Sequence, residues 1–454
     1  MPAPFPFEAL LNFGYLSIML LVGVTLRAKI GFFQRYLIPS CLTGGVLGLI
    51  LIHLGLIPAS VPLLETFAYH FFNISFISVG LTRDEEQADQ AGRRKEYFKG
   101  SIWMALIQGV TFPLQAIIGG LFVIIYGWLG RKLFPTFGFF GPLGFNEGPG
   151  QALSMGKVWE GLGFENAASI GLTFATMGIA FALLVGVPLV NWGLRKGLAT
   201  HGRKTLPPDL LSGLIPEHQQ KEPAGHLTLH GANVDTLAFQ AALIGLVYVL
   251  TYLLEIGLTP LLPPDVAATL WGFFFILGMV VAMIVRWVMK RFGAERLIDA
   301  GVQRRVTGWS VDFLIVSTVM AIKLVVVWAY IVPITVIGLI IGVLSTAVVV
   351  YLGRRLANYN LERMVAIFGV VTGTVSNGLL LLRIVDPEFK TPVAVEIGIM
   401  NVLVAPFILA GMVLVNAPVW WQWSVGLTVL VFVGLMSVAL VLLKVFKLWG
   451  RPRF

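Results

Sequence analysis

Apolar runs of about twenty residues recur along nearly the whole chain, and they restrict it to one class of fold. A segment of that length crosses the hydrocarbon core of a bilayer as an α-helix. Hydrophobic residues make up 57% of the 454 positions and charged residues only 12%, so a soluble domain could not bury the apolar surface. A transmembrane β-barrel would instead need alternating strands of about ten residues. We therefore expect an all-α polytopic membrane protein.

Eleven runs are long enough to cross a membrane. They lie near residues 8–27, 37–57, 62–81, 100–128, 166–193, 236–257, 266–288, 309–330, 334–353, 392–415 and 424–446. Two further segments, about 134–156 and 364–384, are apolar but interrupted by Gly, Pro and polar residues. We interpret both as re-entrant hairpins, which return to the side of the membrane from which they came.

The basic residues support this interpretation. With both hairpins in place, 28 of the 32 Lys and Arg residues fall on one side of the membrane. Arg131, Lys132 and Lys157 fall on the other side, and Lys323 falls within a predicted span. Cytoplasmic loops are enriched in Lys and Arg, so we expect the N-terminus outside and the C-terminus in the cytoplasm. The net charge of +9 reflects these loops and does not indicate a nucleic-acid partner.

The predicted spans form two halves with the same order: four crossings, a hairpin and a fifth crossing. Because five is odd, the second half is inverted, as in many secondary transporters. The expected domains are a first repeat at 1–197, a cytoplasmic linker at 198–232 and a second repeat at 233–415. Residues 416–454 add an extra transmembrane helix and a cytoplasmic tail.

Other classes of protein find little support in the sequence. Cys41 is the only cysteine, which excludes an intramolecular disulfide and a thiolate metal cluster. Four of the six histidines lie in the linker, at a spacing that fits no metal motif. Motifs of membrane-embedded enzymes, such as His-Glu-x-x-His or Gly-x-Ser-x-Gly, do not occur. We expect neither an enzyme nor a cofactor, and a retained first helix because residues 1–8 lack the features of a signal peptide.

The polar stretches Gly141–Gln151 and Val371–Gly378 occupy matching places in the two halves. Such broken segments point to a transporter's binding site, because non-helical backbone at membrane depth must be buried in protein or line a cavity. The predicted substrate-binding residues are Asn146, Glu147, Gly148, Gly150, Gln151, Thr372, Gly373, Thr374, Ser376, Asn377, Arg383 and Asn401. The same stretches would also suit two tight turns whose polar groups are paired internally.

Oxygen ligands suit Na⁺, the expected coupling ion, and the span after each hairpin adds some. The predicted sodium-binding residues are Thr173, Thr176, Thr374, Asn377 and Asn401. A threonine within a helix often bonds its own backbone instead, which is the alternative for Thr173 and Thr176. No other metal is expected.

Several charged residues have two interpretations. Glu147 could bind a cation, take a proton or pair with a basic group, since ionisable groups in a membrane are functional candidates. It could also be solvated near the outer surface. Arg383 could attract an anion or pair with Asp386 or Glu388, and Glu396 could form an interfacial salt bridge or contribute to the site.

Longer motifs add a resemblance to a known family. They are Trp159-Glu160, Gly163-Phe-Glu-Asn-Ala167, Gly171-Leu-Thr-Phe-Ala-Thr176, Gly186-Val-Pro-Leu-Val-Asn-Trp-Gly193, Phe368-Gly-Val-Val-Thr-Gly-Thr374 and Leu382-Arg-Ile-Val-Asp-Pro-Glu-Phe-Lys390. These motifs resemble bacterial sodium/glutamate symporters of the glutamate:Na⁺ symporter family.

The resemblance implies Na⁺-coupled uptake of L-glutamate, an anionic substrate, across the bacterial inner membrane. It also implies a homodimer and an elevator-type movement of a lipid-embedded core that contains both hairpins. The first hairpin, Asn146-Glu-Gly-Pro-Gly150, departs from the Gly-His-Gly-Thr-Gly type of that family. A Na⁺- or H⁺-coupled carrier of another dicarboxylate or hydroxycarboxylate is therefore the alternative, and a passive channel is a third.

Overall fold

The computed structural model of the protein describes residues 5–82, 94–200, 208–217, 223–356, 358–387 and 390–453. In these ranges the chain is all-helical, with 78% of it in helices. The α-helices that can be followed there are α1 (Glu8–Lys29), α2 (Gly31–Arg35), α3 (Ser40–His53), α4 (Val61–Leu81), α5 (Arg94–Trp128), α6 (Phe140–Phe145), α7 (Pro149–Gly161), α8 (Ala167–Arg195), α9 (Pro208–Ser212), α10 (Thr236–Leu258), α11 (Pro264–Leu270), α12 (Phe274–Arg291), α13 (Ala300–Met320), α14 (Leu324–Ala329), α15 (Ile331–Gly353), α16 (Asn360–Thr372), α17 (Val375–Val385), α18 (Val393–Val415), α19 (Ala417–Trp420) and α20 (Val425–Val445).

Eight helical segments among the described residues are long and apolar enough to cross a membrane. They are Glu8–Lys29, Tyr97–Trp128, Ala167–Arg195, Thr236–Leu261, Trp271–Arg291, Ile331–Gly353, Val393–Val415 and Val425–Val445. This confirms the class of polytopic helical membrane protein. The other three predicted crossings correspond to α3, α4 and α13. Helix α3 has only 14 residues, or about 21 Å, so the count of eleven crossings stays a prediction.

The predicted span at 309–330 was wrong in its position. Helix α13 begins nine residues earlier, where the Asp299 side chain accepts a hydrogen bond from the Val302 amide at 2.7 Å. It ends at Met320, and α14 begins only at Leu324. The apolar run passes through this break, whereas the cap and the basic first turns lie outside the run. Lys323 therefore lies between two helices.

The helices of the two predicted halves pack reciprocally. Helices α4 and α13, the third predicted crossings of the two halves, pack against each other. Helix α3 packs against α13, just as α12 packs against α4, and α5 packs against α18, just as α15 packs against α8. The 35-residue helix α5 also contacts α6, α16 and α20. It therefore lies at the centre of the fold and reaches both segments that were predicted as hairpins.

Candidate functional site

Two helix breaks lie within the predicted hairpin segments. The first break separates α6 from α7 at Asn146–Gly148, and the second separates α16 from α17 at Gly373 and Thr374. Gly148 has φ +87° and ψ −173°, a backbone conformation that is essentially restricted to glycine. The breaks are where the Gly, Pro and polar residues predicted them. Re-entry of each segment into a membrane stays a prediction.

The two breaks are in contact, although 225 residues separate them in sequence. A Cβ atom added to Gly148 would lie 2.8 Å from Thr374 Cγ2 and 3.3 Å from the Gly373 carbonyl oxygen. Gly373 in turn lies against the Asn377 side chain, and the Thr374 hydroxyl accepts a hydrogen bond from the backbone amide of Asn377 at 3.4 Å. Four of the predicted site residues, Gly148, Gly373, Thr374 and Asn377, are therefore brought together.

Helix α5 holds both breaks with polar side chains on one face. Gln108 Nε2 donates to Asn146 Oδ1 at 2.9 Å, and Asn146 Nδ2 donates to Thr111 Oγ1 at 3.2 Å. One turn further along, Gln115 Nε2 donates to the Val371 carbonyl at 2.9 Å. The sequence prediction missed these α5 residues. Their signal was three polar side chains at helical spacing in an apolar span, where polar groups are rare and often functional.

Helix α8 lies against both breaks as well. A Cβ atom on Gly178 would meet the Thr372 carbonyl oxygen at 2.7 Å and Phe145 Cα at 3.2 Å. Only a glycine lets α8 approach the ends of α6 and α16 this closely. The end of α6, the end of α16 and the middle of α8 are thus packed together.

Three predicted threonines are bonded to their own helices. The hydroxyls of Thr173, Thr176 and Thr372 donate to the carbonyl four residues earlier, at 2.8, 2.9 and 2.6 Å. This is the alternative expected for Thr173 and Thr176, and it leaves their hydroxyl oxygens able to accept but not to donate elsewhere. Their role as sodium ligands stays a prediction.

Buried polar atoms without a hydrogen-bond partner cluster around the first break and α17. Within the described part of the chain they include Gln108 Oε1, Glu147 Oε1, Gln151 Oε1 and Asn377 Nδ2. An unpaired buried polar atom costs about 1–3 kcal/mol, so such atoms are few in folded proteins and each calls for an explanation. Without Gln151, whose amide bonds to Met412, the set combines two acceptor oxygens with one amide donor, which suits a small polar ligand and a cation.

Two predicted residues of the first hairpin have neighbours outside the breaks. Gly150 faces the ring of Phe72, which a side chain at position 150 would overlap, so this glycine packs α7 against α4. Gln151 Nε2 donates to Met412 Sδ at 3.1 Å. The Gln151 amide therefore points toward α18 rather than toward α16.

Three other predicted residues, Ser376, Arg383 and Asn401, are exposed, and no hydrogen bond among the described residues joins them to either break. The Asp386 carboxylate, one of the two partners considered for Arg383, instead accepts hydrogen bonds from Lys390 and Thr391 at 2.6–2.9 Å. Glu388 lies outside the described residues. The role of Ser376, Arg383 and Asn401 in substrate binding stays a prediction.

Glu396 forms a salt bridge with Arg363. Arg363 Nε and Nη2 donate to the two carboxylate oxygens of Glu396 at 2.7 and 2.5 Å, and both side chains are buried. The backbone of Gly100 lies directly against this carboxylate. Of the two interpretations of Glu396, the salt bridge is the one that the structure contains, and it joins α16 to α18.

The histidine, cysteine and carboxylate side chains form no group of three or more that could hold a metal ion within the described ranges. The ligands that the breaks offer are oxygen atoms of amides, hydroxyls, backbone carbonyls and the Glu147 carboxylate. Such ligands suit hard cations rather than transition metals.

In a comparison with models of known protein families, residues 5–374 match the family described as sodium/glutamate symporter. The matched region begins before α1 and ends at Thr374, so it includes the first break and reaches the second. A search of curated proteins found no match.

Proposed function

Because the chain belongs to the sodium/glutamate symporter family, we propose that it carries L-glutamate into the cell by Na⁺-coupled symport across the bacterial cytoplasmic membrane. The family is one of membrane transporters, and the eight candidate spans agree with that class. We place the glutamate and Na⁺ sites where the two helix breaks meet.

The contact between the breaks is the observation that carries this placement. Gly148 from one half of the chain lies against Gly373 and Thr374 from the other half. In transporters built from inverted halves, broken helices bind substrate and ions near the middle of the membrane. The unpaired polar atoms of Glu147 and Asn377 add binding capacity beside this contact.

The breaks suit a dicarboxylate because two helices begin there. Gly148 precedes α7 and Thr374 precedes α17, and the first turn of each helix has backbone N–H groups with no partner in the helix. The helix dipole places partial positive charge at the same ends. We assign these N-termini and the Asn377 side-chain amide to the carboxylates of the substrate.

Sodium would bind on the oxygen-rich side of the same contact. Gln108 Oε1 and Glu147 Oε1 are buried acceptors without a partner, and the C-terminal ends of α6 and α16 add carbonyl oxygens. A cation held there would offset the negative charge of a nearby carboxylate. Each ligand would then raise the affinity for the other, which is the coupling that symport requires.

The proposal includes two inverted repeats, at 1–197 and 233–415, with re-entrant hairpins at 134–156 and 364–384. The cytoplasmic linker is 198–232, and 416–454 forms the added helix and tail. The reciprocal packing of α3 on α13 and of α12 on α4 supports this symmetry. The elevator-type movement, the homodimer and an external N-terminus with a cytoplasmic C-terminus complete the proposal, on the strength of the resemblance and of the basic-residue bias.

Uptake of labelled L-glutamate into proteoliposomes, with and without an inward Na⁺ gradient, tests the function. Asn377→Ala and Thr374→Ala test the site. Loss of a hydrogen bond to a charged group costs about 1.5–3 kcal/mol, so we expect Asn377→Ala to lower kcat/KM at least ten-fold. Ser437→Ala, in an exposed turn of α20, is the control. Normal Na⁺-dependent uptake in both site variants would place the site elsewhere.

A second candidate is a Na⁺- or H⁺-coupled carrier of another dicarboxylate or hydroxycarboxylate. The observation that favours it is Glu147, whose carboxylate lies at the first break with one oxygen buried and unpaired, so it could take a proton where Na⁺ would otherwise bind. Uptake of a dicarboxylate or hydroxycarboxylate that is driven by a pH gradient in the absence of Na⁺, and that is lost in Glu147→Gln, would support this candidate. Uptake of glutamate only with Na⁺ would exclude it.

A further inference from the structure

A cavity of about 720 Å³ lies away from the two breaks, where α5, the end of α15, the start of α16 and the chain after α20 come together. Six of its lining residues are cationic. This basic pocket is defined by Lys99, Arg355, Arg363, Lys447, Arg451 and Arg453. Its volume is in the range of small-molecule sites, and none of the assigned functions uses it.

The tail that forms one wall is fixed to the body of the protein. The Arg453 amide donates to the Arg354 carbonyl at 2.9 Å, and Gly450 lies so close to the Arg355 carbonyl that a Cβ atom there would be 2.6 Å away. The ring of Trp449 packs edge-on against Tyr351, with centroids 6.1 Å apart. The pocket is therefore a built feature and not a chance approach of a loose terminus.

The charges in the pocket are not balanced by protein groups. Arg363 is paired with Glu396, but Lys99, Arg355, Lys447, Arg451 and Arg453 have no ion pair within the described part of the chain. None of the described residues that line the cavity carries a carboxylate. Like charges held together repel one another, so an anion that binds between them stabilises the arrangement.

Orientation signals alone do not account for this arrangement. The positive-inside rule places Lys and Arg in the loops of one face, but it does not make three separate segments converge on one concave site. The guanidinium groups of Arg355, Arg451 and Arg453 offer forked donors that match phosphate oxygens in pairs. Leu356, Leu448 and Pro452 add apolar surface to the same wall.

We propose that the basic pocket binds a phosphate-bearing anion. Basic pockets between transmembrane helices bind phospholipid head groups in other membrane proteins, and a soluble phosphate compound has the same chemistry. Because Arg363 links the pocket to α16 and, through Glu396, to α18, the bound anion would stabilise the packing of the second broken segment against α5 and α20.

The test uses the full-length protein in detergent. Native mass spectrometry measures retention of cardiolipin against zwitterionic phosphatidylcholine, and calorimetry measures binding of pyrophosphate. The variants are Arg451→Gln with Arg453→Gln on the tail, and Lys99→Gln on the opposite wall. Lys290→Gln with Arg291→Gln, two exposed basic residues at the end of α12, is the charge-matched control.

We expect the wild type to bind one of the two anions in preference to phosphatidylcholine. Neutralising two pocket charges should weaken that binding about 30-fold, Lys99→Gln should weaken it less, and the control should leave it unchanged. Binding of cardiolipin alone identifies a lipid head group as the ligand, and binding of pyrophosphate alone identifies a soluble phosphate. Binding of neither, or equal losses in the pocket and control variants, would overturn the proposal.

Discussion

Gly148 is a residue at which a single added atom should disturb the proposed site. Its backbone, at φ +87° and ψ −173°, lies in a region that other residues rarely adopt, and forcing alanine into it costs about 1–3 kcal/mol. The new Cβ would also lie 2.8 Å from Thr374 Cγ2. Gly148→Ala must therefore move the first break, the second break or both.

The cost falls on the arrangement in which the breaks touch, and much less on the fold as a whole. If that arrangement binds the substrate, a penalty of about 1–3 kcal/mol lowers its population, and with it kcat/KM, roughly 5- to 150-fold. Thr374→Ser removes the methyl group that the new Cβ would strike and keeps the oxygen that caps α17. In the double variant the steric part of the loss should be recovered and the backbone strain retained.

Sodium-driven glutamate uptake in proteoliposomes measures these effects, with each variant checked for thermal unfolding in detergent. Gly245→Ala is the control, because a Cβ atom at that position in α10 meets nothing within 4 Å. Gly148→Ala transport at the wild-type rate would refute the argument. So would a double variant no better than Gly148→Ala alone, because the two breaks would then not be in contact during transport.

Two further predictions concern ion pairs. Lys157 Nζ lies 2.5 Å from Glu65 Oε2 and joins α7 to α4. Because the Glu65 side chain is only 7% exposed, Lys157→Met leaves a buried carboxylate without its partner and should destabilise the protein by about 1–3 kcal/mol, measured as a fall in the detergent unfolding temperature; exposed Lys132→Met should leave that temperature unchanged, and a Lys157→Met variant as stable as the wild type would argue against this. Glu396→Gln leaves the buried Arg363 guanidinium without its carboxylate partner and should destabilise the protein by about 3–5 kcal/mol, measured as a fall in the detergent unfolding temperature. Adding Arg363→Met should restore part of the lost stability, and equal stability of Glu396→Gln and wild type would contradict this.

Much of the fold was predictable because a membrane span has a characteristic length and an apolar composition. Helices α5, α8, α15 and α20 begin and end within a few residues of the predicted runs, apart from the start of α5. The failure at α13 has a clear cause: its first turns are basic and capped by Asp299, so an apolar run could not mark where it begins. Asp299 is a typical N-cap residue, and treating it as a helix start would have located the beginning of α13.

The candidate site was predictable only in part. Gly and polar residues marked both breaks, and their matching positions suggested that the breaks meet, as they do at Gly148 and Thr374. The exposed position of Asn401 was not predictable, because α18 is apolar apart from Glu396 and Asn401 and its pattern does not distinguish its faces. The inward face of α5 was detectable from the spacing of Gln108, Thr111 and Gln115, but which partners they bond depends on tertiary packing.

The two breaks have the same order of elements but different side chains. Each break supplies the end of one helix and the start of another. The first break adds the Glu147 carboxylate, and the start of α17 adds the Asn377 side-chain amide. Helix α5 bonds to Asn146 at the first break and to Val371 near the end of α16, while α15 contributes the Ser345 hydroxyl, 3.1 Å from Gln115. A symmetric ligand would need no such difference. An amino acid carries an ammonium group beside its carboxylates, so a pocket that recognises it must offer an acceptor on one side and donors on the other. Exchanging the two groups, by Glu147→Asn with Asn377→Glu, would keep their number while reversing this polarity.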